Sequence, residues 1–390
     1  MAFSFSTTVQ GPSGPLKIVF GEETPEQRLA CCEVIVASYA PSFPASAIVE
    51  LEEYLSQHPL TLNQGTRFWC ISLDDDTGSV LALCKTIRRR FLVKDSESMR
   101  EESGYCISTV ATHPQYRRLG LATLLIQQVA KWLDGPADAA ASMLYTSVGD
   151  VRDNHFLAGL MPSSRPILTF SQFYVRSGWQ MIPSIISNMT NISDDSQLGH
   201  RAGLPSTRLL ANEEIPALCE RDVADLKASF ENTTVVPNEV HVAVIPSAEM
   251  ISWLHEWGDF LNTTLRGGEA PFVHGAICEA ADTWIYWHYG FKHLAISRVR
   301  VPPGVGQGSP EVLAGLLLDA LEEARKWKFD KVVVWEPSAE LISAMDLISK
   351  MAGVEVETLA RPNSITSLRW KNSDETKKTT LHLNEVYASC

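Results

Sequence analysis

The sequence predicts an α/β protein of two lobes, each carrying a strand, a helix and a second strand in that order. Three observations lead there. Tyr105 to Thr112 is an apolar strand. A loop follows it, then Leu121, Leu124, Leu125, Val129 and Trp132 at helical spacing, then a second strand from Met143 to Val148. The same order returns further along, with a strand at His293 to Val301, a helix from Pro310 to Trp327 and a strand at Lys331 to Trp335. Between the two units, Ser184 to Gly203 is rich in Ser, Asn and Asp with little periodicity, which is linker composition. The expected division is a first lobe over 1–185, a linker over 186–203 and a second lobe over 204–390.

Taken in order, Thr24 to Leu55 has helical spacing, with Leu29, Cys32, Val36 and Tyr39 on one face and Thr24-Pro25-Glu26 as a capped start. Arg67 to Leu73 and Ser79 to Arg88 are β-rich runs around the acidic turn Asp74 to Gly78, which predicts a hairpin closed by Arg88-Arg89-Arg90 as a solvated strand end. The unit from Tyr105 to Val148 has the connection length of a crossover between parallel strands. In the second half, Ala248 to Leu261 reads as a helix, and Ser309 before Pro310 and Glu311 as a helix start. Ile296 to Val301 stands where Ile107 to Thr112 stood, and Ala-Arg-Lys-Trp at 324–327 echoes Ala-Lys-Trp at 130–132. The second lobe is therefore expected to be a degenerate copy of the first.

Composition narrows the function classes. The 390 residues are 45% hydrophobic and 20% charged, enough for a large core and too apolar for long disordered tracts. A net charge of -13 argues against a phosphate-neutralising face, so no nucleic-acid partner is expected, and an amine suits the chain better than a polyanion. No run of about 18 apolar residues occurs, and the start of the chain lacks the pattern of a secretory signal, so a soluble, cytoplasmic protein without a membrane partner is expected. The 8 cysteines are scattered without zinc spacing and are expected to be mostly buried thiols, with no metal bound.

The chemistry is concentrated after the first strand. Arg117-Arg118-Leu119-Gly120-Leu121-Ala122 follows a strand and opens a helix, the pattern R/Q-x-x-G-x-G/A. Amides at a helix N-terminus point outward without partners and favour an anion. Gly120 permits close backbone approach, Ala122 is small, and the two arginines add charge-assisted contacts. By contrast, Gly304-Val305-Gly306-Gln307-Gly308 stands at the equivalent place in the second unit without either arginine, and reads as a flexible connection.

The run Val-Ala-Thr-His-Pro-Gln-Tyr-Arg-Arg-Leu-Gly-Leu-Ala-Thr-Leu-Leu-Ile (110–126) resembles the acetyl-CoA motif of the GNAT superfamily. The resemblance implies a mixed, twisted sheet flanked by helices, with acetyl-CoA as co-substrate. Val110, Ala111 and Thr112 would pair with the pantetheine arm. Arg117, Arg118, Leu119, Gly120, Leu121, Ala122 and Thr123 would hold the pyrophosphate, and the acetyl group would lie where two parallel strands splay. Phe173-Tyr174-Val175-Arg176-Ser177-Gly178-Trp179 resembles the superfamily's second motif, whose Tyr174 would protonate the leaving thiolate. An alkylammonium has a pKa of about 10, so the attacking amine must lose a proton first. Asp150, at a strand end near the expected acceptor, is the candidate for accepting that proton or binding the amine. The chain end at Cys390 is a second acceptor-site candidate, as some two-lobed relatives bring that end into the site.

The chain further resembles the fungal L-lysine N6-acetyltransferases of lysine catabolism. The matching pieces are Leu144 to Asp150, Phe173 to Trp179 followed by Pro183-Ser184, Trp253 to Phe260, and Asn384 to Tyr387 with Cys390. Two departures stand out: Ser147 replaces an expected acidic residue, and Val151 to Gln172 separates Asp150 from Phe173, where the family runs on almost directly. Removing the segment restores Val-Gly-Asp-Phe-Tyr, so it reads either as a lid or as a translated intron. The resemblance thus implies acetyl transfer to the side-chain amine of free lysine. Another small amine (a polyamine, an aminoglycoside or a different amino acid) fits the same motifs, and a non-catalytic acetyl-CoA-binding protein remains open if the segment disables the site.

Overall fold

The computed structural model describes residues 3–39, 41, 43–146, 170–192, 197–199, 201–267, 273–302, 309–371 and 378–389. The chain opens with the hairpin β1 (Phe5–Gly11) and β2 (Gly14–Glu22), then α1 (Arg28–Tyr39) and α2 (Ala45–Ser56). The side chain of Gln27 accepts from the Thr24 amide at 3.0 Å and fixes the start of the first helix. β3 (Thr66–Leu73), β4 (Val80–Lys94) and β5 (Met99–Thr112) form an antiparallel meander, and α3 (Leu121–Asp134) carries the chain over to β6 (Ala141–Thr146), which lies parallel to β5. Alternation along β3 sends Trp69 and Ile71 toward α3 and Phe68 and Cys70 toward α1 and α2, so helices cover both faces.

α4 (Phe170–Val175) and β7 (Gln180–Met181) lead into β8 (Ile185–Thr190). β8 corrects the linker expected over 186–203: it pairs with two other strands and belongs to the second sheet. Its polar composition hid it. Ser187 exchanges a hydrogen bond with Thr358 at 2.6 Å, and Asn188 accepts from Lys331 at 3.2 Å, so these residues are bonded across the sheet instead of solvated.

β9 (Arg208–Leu209), α5 (Ile215–Asn232), β10 (Glu239–Val244), α6 (Ala248–Arg266), β11 (Gly275–Cys278), β12 (Thr283–Tyr289) and β13 (Leu294–Arg300) follow. α7 (Pro310–Lys326) then crosses to β14 (Val332–Trp335), parallel to β13, which repeats the first crossover. α8 (Ala339–Ala352), β15 (Glu355–Ala360), β16 (Ile365–Trp370) and β17 (Lys378–His382) complete the chain.

The lobes are not separate in sequence. β16 pairs with β6, β10 pairs with β4, and β17 pairs with β10, so three strands from the second half extend the first sheet, while β8 from the first half joins the second. α6 lies between the sheets: Met250, Ile251, Trp253 and Leu254 share one core with Ile87, Phe91 and Met143 of the first sheet and Trp284 and Tyr286 of the second. α7 and α8 cover the outer face of the second sheet.

β4 also corrects the reading of Arg88-Arg89-Arg90 as a strand end, because pairing with β5 continues to Lys94. Arg89 is 1% exposed. Its guanidinium donates to the Ser389 carbonyl at 3.1 Å and to that of Arg88 at 3.0 Å, partners that let a cation lie inside a sheet. The seven described cysteines are all buried thiols. Among the described residues no helix is long and apolar enough to cross a membrane, and no group of three or more His, Cys, Asp and Glu is placed to hold a metal.

Candidate active site

The site begins where two parallel strands part. β5 and β6 pair from Gly104 opposite Ala141 to Ile107 opposite Leu144, and no further. On its other edge β5 stays paired with β4, but the register slips between Leu83 and Lys85, so two residues, Thr109 and Val110, oppose Cys84 alone. Thr109 takes a left-handed φ of 55°. Such a bulge bends its strand and leaves backbone groups unpaired, which turns β5 away from β6 at the level of Ser108 to Val110.

The bonds that hold the loop beyond β5 include three that fix its two ends and its turn. The His113 amide donates to Leu81, the His113 ring accepts from the Gln115 amide, and Arg117 donates to the Thr112 carbonyl at 3.3 Å. Arg118 and Gly120 follow with φ of 67° and 79°. A Cβ on Gly120 would meet nothing within 4 Å, so the conformation, not crowding, asks for glycine here. The turn places the start of α3 so that the Leu124 amide is the first to find an intrahelical carbonyl, that of Gly120. The amides before it are left for an outside acceptor. Arg118, Gly120 and Thr123 are exposed, and Val110, Arg117, Leu119 and Ala122 are half-buried. Ala111 and Leu121 are buried and serve packing. A free strand edge followed by unpaired amides and two arginines fits a diphosphate on a long flexible arm, the form of coenzyme A.

Tyr174 comes to the same opening from α4. Gly178, with φ of 94°, ends that helix in a left-handed turn, while the amides of Ser177 and Trp179 donate to the Tyr174 carbonyl and Trp179 is fully buried. Tyr174 is 8% exposed in the core formed with Trp69, Trp132 and Trp179. Burial raises the pKa of its phenol well above the ordinary value, with the neighbouring Tyr39 and Cys84 adding to the effect. The phenol therefore keeps its proton at neutral pH.

Tyr39, which sequence reasoning assigned only to a helix face, closes the group. Its hydroxyl donates to the Val110 carbonyl inside the bulge. The residue is largely exposed, yet desolvation of its hydroxyl against the protein, reinforced by Cys84, pushes its pKa up to about 12, with Arg117 pulling the other way. No sequence signal marks this role, because the partner is a backbone atom 71 residues away. Asp150 and Cys390 lie outside the described residues, as do residues 151–169 of the inserted segment and the Gly304 to Gly308 loop; residues 170–172 of the segment form the start of α4.

On the far side of β6, Tyr145 meets Trp335 in a tilted contact with ring centroids 5.8 Å apart, and the Arg361 guanidinium lies over Trp335, 3.9 Å from a ring centroid. This wall comes from the second lobe and was also missed, since 145, 335 and 361 are brought together only by the exchange of strands.

Two family models match the chain: the acetyltransferase (GNAT) family over residues 32–158, and the LYC1 GNAT-like C-terminal domain over residues 190–390, more than half of its length. The chain belongs to the LYC1-like GNAT family. It is an acyltransferase of the N-acetyltransferase type, and acetyl-CoA is its co-substrate. Solved structures share the fold. A tandem GNAT protein from the clavulanic acid biosynthesis pathway aligns over 92% of this chain and 100% of its own, at 12% identity and a TM-score of 0.52. A conserved protein of unknown function from Enterococcus faecalis V583, a probable N-acyltransferase, aligns over 90% of this chain and 72% of its own, at 12% identity and a TM-score of 0.50. No curated protein matches the enzyme.

Proposed function

We propose that the enzyme transfers the acetyl group of acetyl-CoA to the side-chain amine of free L-lysine, a step of lysine catabolism, by direct attack in a ternary complex. The observation that carries the reading is the buried, protonated Tyr174 phenol within electrostatic reach of Tyr39, whose hydroxyl donates to the Val110 carbonyl in the bulge where β5 leaves β6. The free amides of α3 with Arg117 and Arg118 would bind the diphosphate, and the edge of β5 from Val110 to Thr112 would orient the arm. Acetyl-CoA supplies an acetyl thioester. The amine, deprotonated by water or by Asp150, forms the new C–N bond as the C–S bond breaks. Tyr174 gives its proton to the departing thiolate and recovers one from solvent. The lysine reading is supported by the resemblance of Leu144 to Asp150, Phe173 to Trp179 and Trp253 to Phe260 to the fungal lysine acetyltransferases, and by the acidic character of the chain, which suits a cationic acceptor.

The test is release of free thiol from acetyl-CoA in the presence of a panel of amines. Robust turnover with lysine is expected. Tyr174→Phe should lower kcat by about 10²–10⁴-fold while acetyl-CoA still binds, the range for losing a positioned acid. Saturable coenzyme binding without turnover of any amine would overturn the proposal.

A further inference from the structure

Tyr39 reaches the opening from the side opposite to Tyr174. It is the last residue of α1, which lies on the face of the first sheet where Cys32 and Ile35 pack with Leu83 and Ala111. Tyr174 belongs to the other face, in the core that α3 forms with Trp69 and Trp132. Paired strands would keep such groups apart. Here burial, and after it Tyr39, raises the pKa of the Tyr174 phenol, so the two phenols sense each other where β6 has left β5.

The atom that Tyr39 holds is one of two that the departure of β6 sets free. The His113 amide donates to the Leu81 carbonyl on the β4 side. The carbonyl of a trans peptide points away from its amide, so the Thr112 carbonyl faces the freed edge. Alternation along the strand puts the Val110 carbonyl on that edge too. β6 pairs with neither residue, and side chains answer both oxygens. Arg117 Nε donates to Thr112 at 3.3 Å, and the Tyr39 hydroxyl donates to Val110. The second bond falls next to Thr109, whose φ of 55° is a conformation that a β-branched residue keeps only where its surroundings fix it. Desolvation pushes the Tyr39 pKa up to about 12, so the hydroxyl keeps the proton that the bond requires. Tyr39 is 58% exposed, so the core does not depend on its ring.

We propose that Tyr39 is a positioning residue for acetyl transfer: by holding the Val110 carbonyl it fixes the edge of β5 along which the thioester is set against Tyr174. This rests on the placement of the coenzyme arm along Val110 to Thr112 given above, and not on the identity of the amine. The coenzyme then has two separate holds. Its diphosphate is kept by the start of α3, so loss of the Tyr39 bond leaves affinity in place and lets the reactive end drift. A drift of about 1 Å from the productive geometry costs on the order of 100-fold in rate. The Tyr39 hydroxyl acts through the backbone and does not serve the leaving thiolate, because its one proton is committed to the Val110 oxygen. Arg117 holds the other freed carbonyl, but it also stands beside the diphosphate site, so Tyr39 gives the cleaner test.

The experiment uses Tyr39→Phe, which removes the hydroxyl and keeps the ring. Amide hydrogen exchange of the free proteins should be faster in the variant over residues 109–112, by about 10-fold, the effect of one lost hydrogen bond, and unchanged in α3. Steady-state kinetics with acetyl-CoA and the amine that the parent turns over best should show kcat lowered by about 10–100-fold, with KM for acetyl-CoA and for the amine at their parent values. Unchanged exchange over 109–112 would overturn the inference without any amine being needed. So would faster exchange with kcat intact, and so would a loss carried by KM for the amine, which would make Tyr39 an acceptor contact. The placement is tested apart from this: acetyl-CoA should slow exchange over residues 110–112 of the parent. Its failure to do so would refute the placement and the inference with it, whereas failure of lysine as the acceptor would leave both standing.

Discussion

The two strand–helix–strand units of this chain share a topology and differ in what occupies their openings. In each, a parallel pair stops early: β5 leaves β6 after Ile107, and β13 leaves β14 after Ile296. In the first unit the freed edge of β5 and the amides of α3 are left for a ligand. In the second, the chain itself fills the gap. Glu385 accepts the Val299 amide at 3.2 Å and binds Arg298 at 2.8 Å, and Val386 is packed on Ala295 and Val333. The helix starts differ likewise. α3 begins at a left-handed glycine beside two arginines, whereas α7 begins at Ser309, whose hydroxyl accepts the Glu311 amide at 3.2 Å, with an acidic residue in the first turn. One fold thus makes a binding site or a structural joint, according to whether its unpaired backbone groups are answered from within.

The largest effect should come from opening the plugged unit. Arg298 holds the buried Asp222 by two bonds of 2.7 and 2.8 Å and the half-buried Glu385 by one. Arg298→Met strands the buried carboxylate of Asp222 and the half-buried one of Glu385 and should cost about 3–5 kcal/mol of stability. Denaturant titration measures this. The affinity of the first unit for acetyl-CoA should hold in the protein that remains folded, and a variant as stable as the parent would refute the joint.

How far the two units could be read from sequence follows from the same contrast. β5, α3 and β6 are adjacent in the chain, and the periods of 2 and 3.6 that define them are local, so Leu125, Val129 and Trp132 fall in the core as their spacing predicts. The glycine and arginines after β5 were legible for the same reason. The exchange of β8, β10, β16 and β17 between sheets was not, because alternation tells that a segment is a strand without telling which partner it has. Arg89 and Arg361 were opaque in a further way. Composition marks an arginine as solvated, and only the Ser389 carbonyl in one case and Trp335 in the other show why each is inside.

Acid should act on the second sheet more than on the first. Burial depresses the pKa of His288 to about 3 and of His293 to about 4, and holds His255 well below its ordinary value. These rings stay neutral in the folded protein while the unfolded chain takes up protons below about 6.5. Their contribution is complete above that pH and is lost as pH falls toward the folded values. Glu385 works in the opposite sense: burial pushes it up to about 6, so the folded state gains that proton first. Three imidazoles outweigh one carboxyl, and the net loss between pH 6 and pH 5 should be roughly 3 kcal/mol. Hydrogen exchange should place the loss in β12 and β13, and a flat profile over that interval would contradict the assignment.

The smallest effects separate the two helix starts most directly. Gly120→Ala forces a side chain into a left-handed conformation, at a cost of about 1–2 kcal/mol. Because Gly120 lies in an exposed turn with open space around it, the turn can relax, and the loss should appear mainly as a KM for acetyl-CoA raised by about 10-fold. Ser309→Ala removes the hydroxyl that answers the Glu311 amide and should cost about 1 kcal/mol of stability. Its KM for acetyl-CoA should stay at the parent value, since α7 begins at a unit whose opening is filled. If Ser309→Ala raised that KM as much as Gly120→Ala, the second unit would have to be communicating with the coenzyme, and the division into one open and one filled unit would fail.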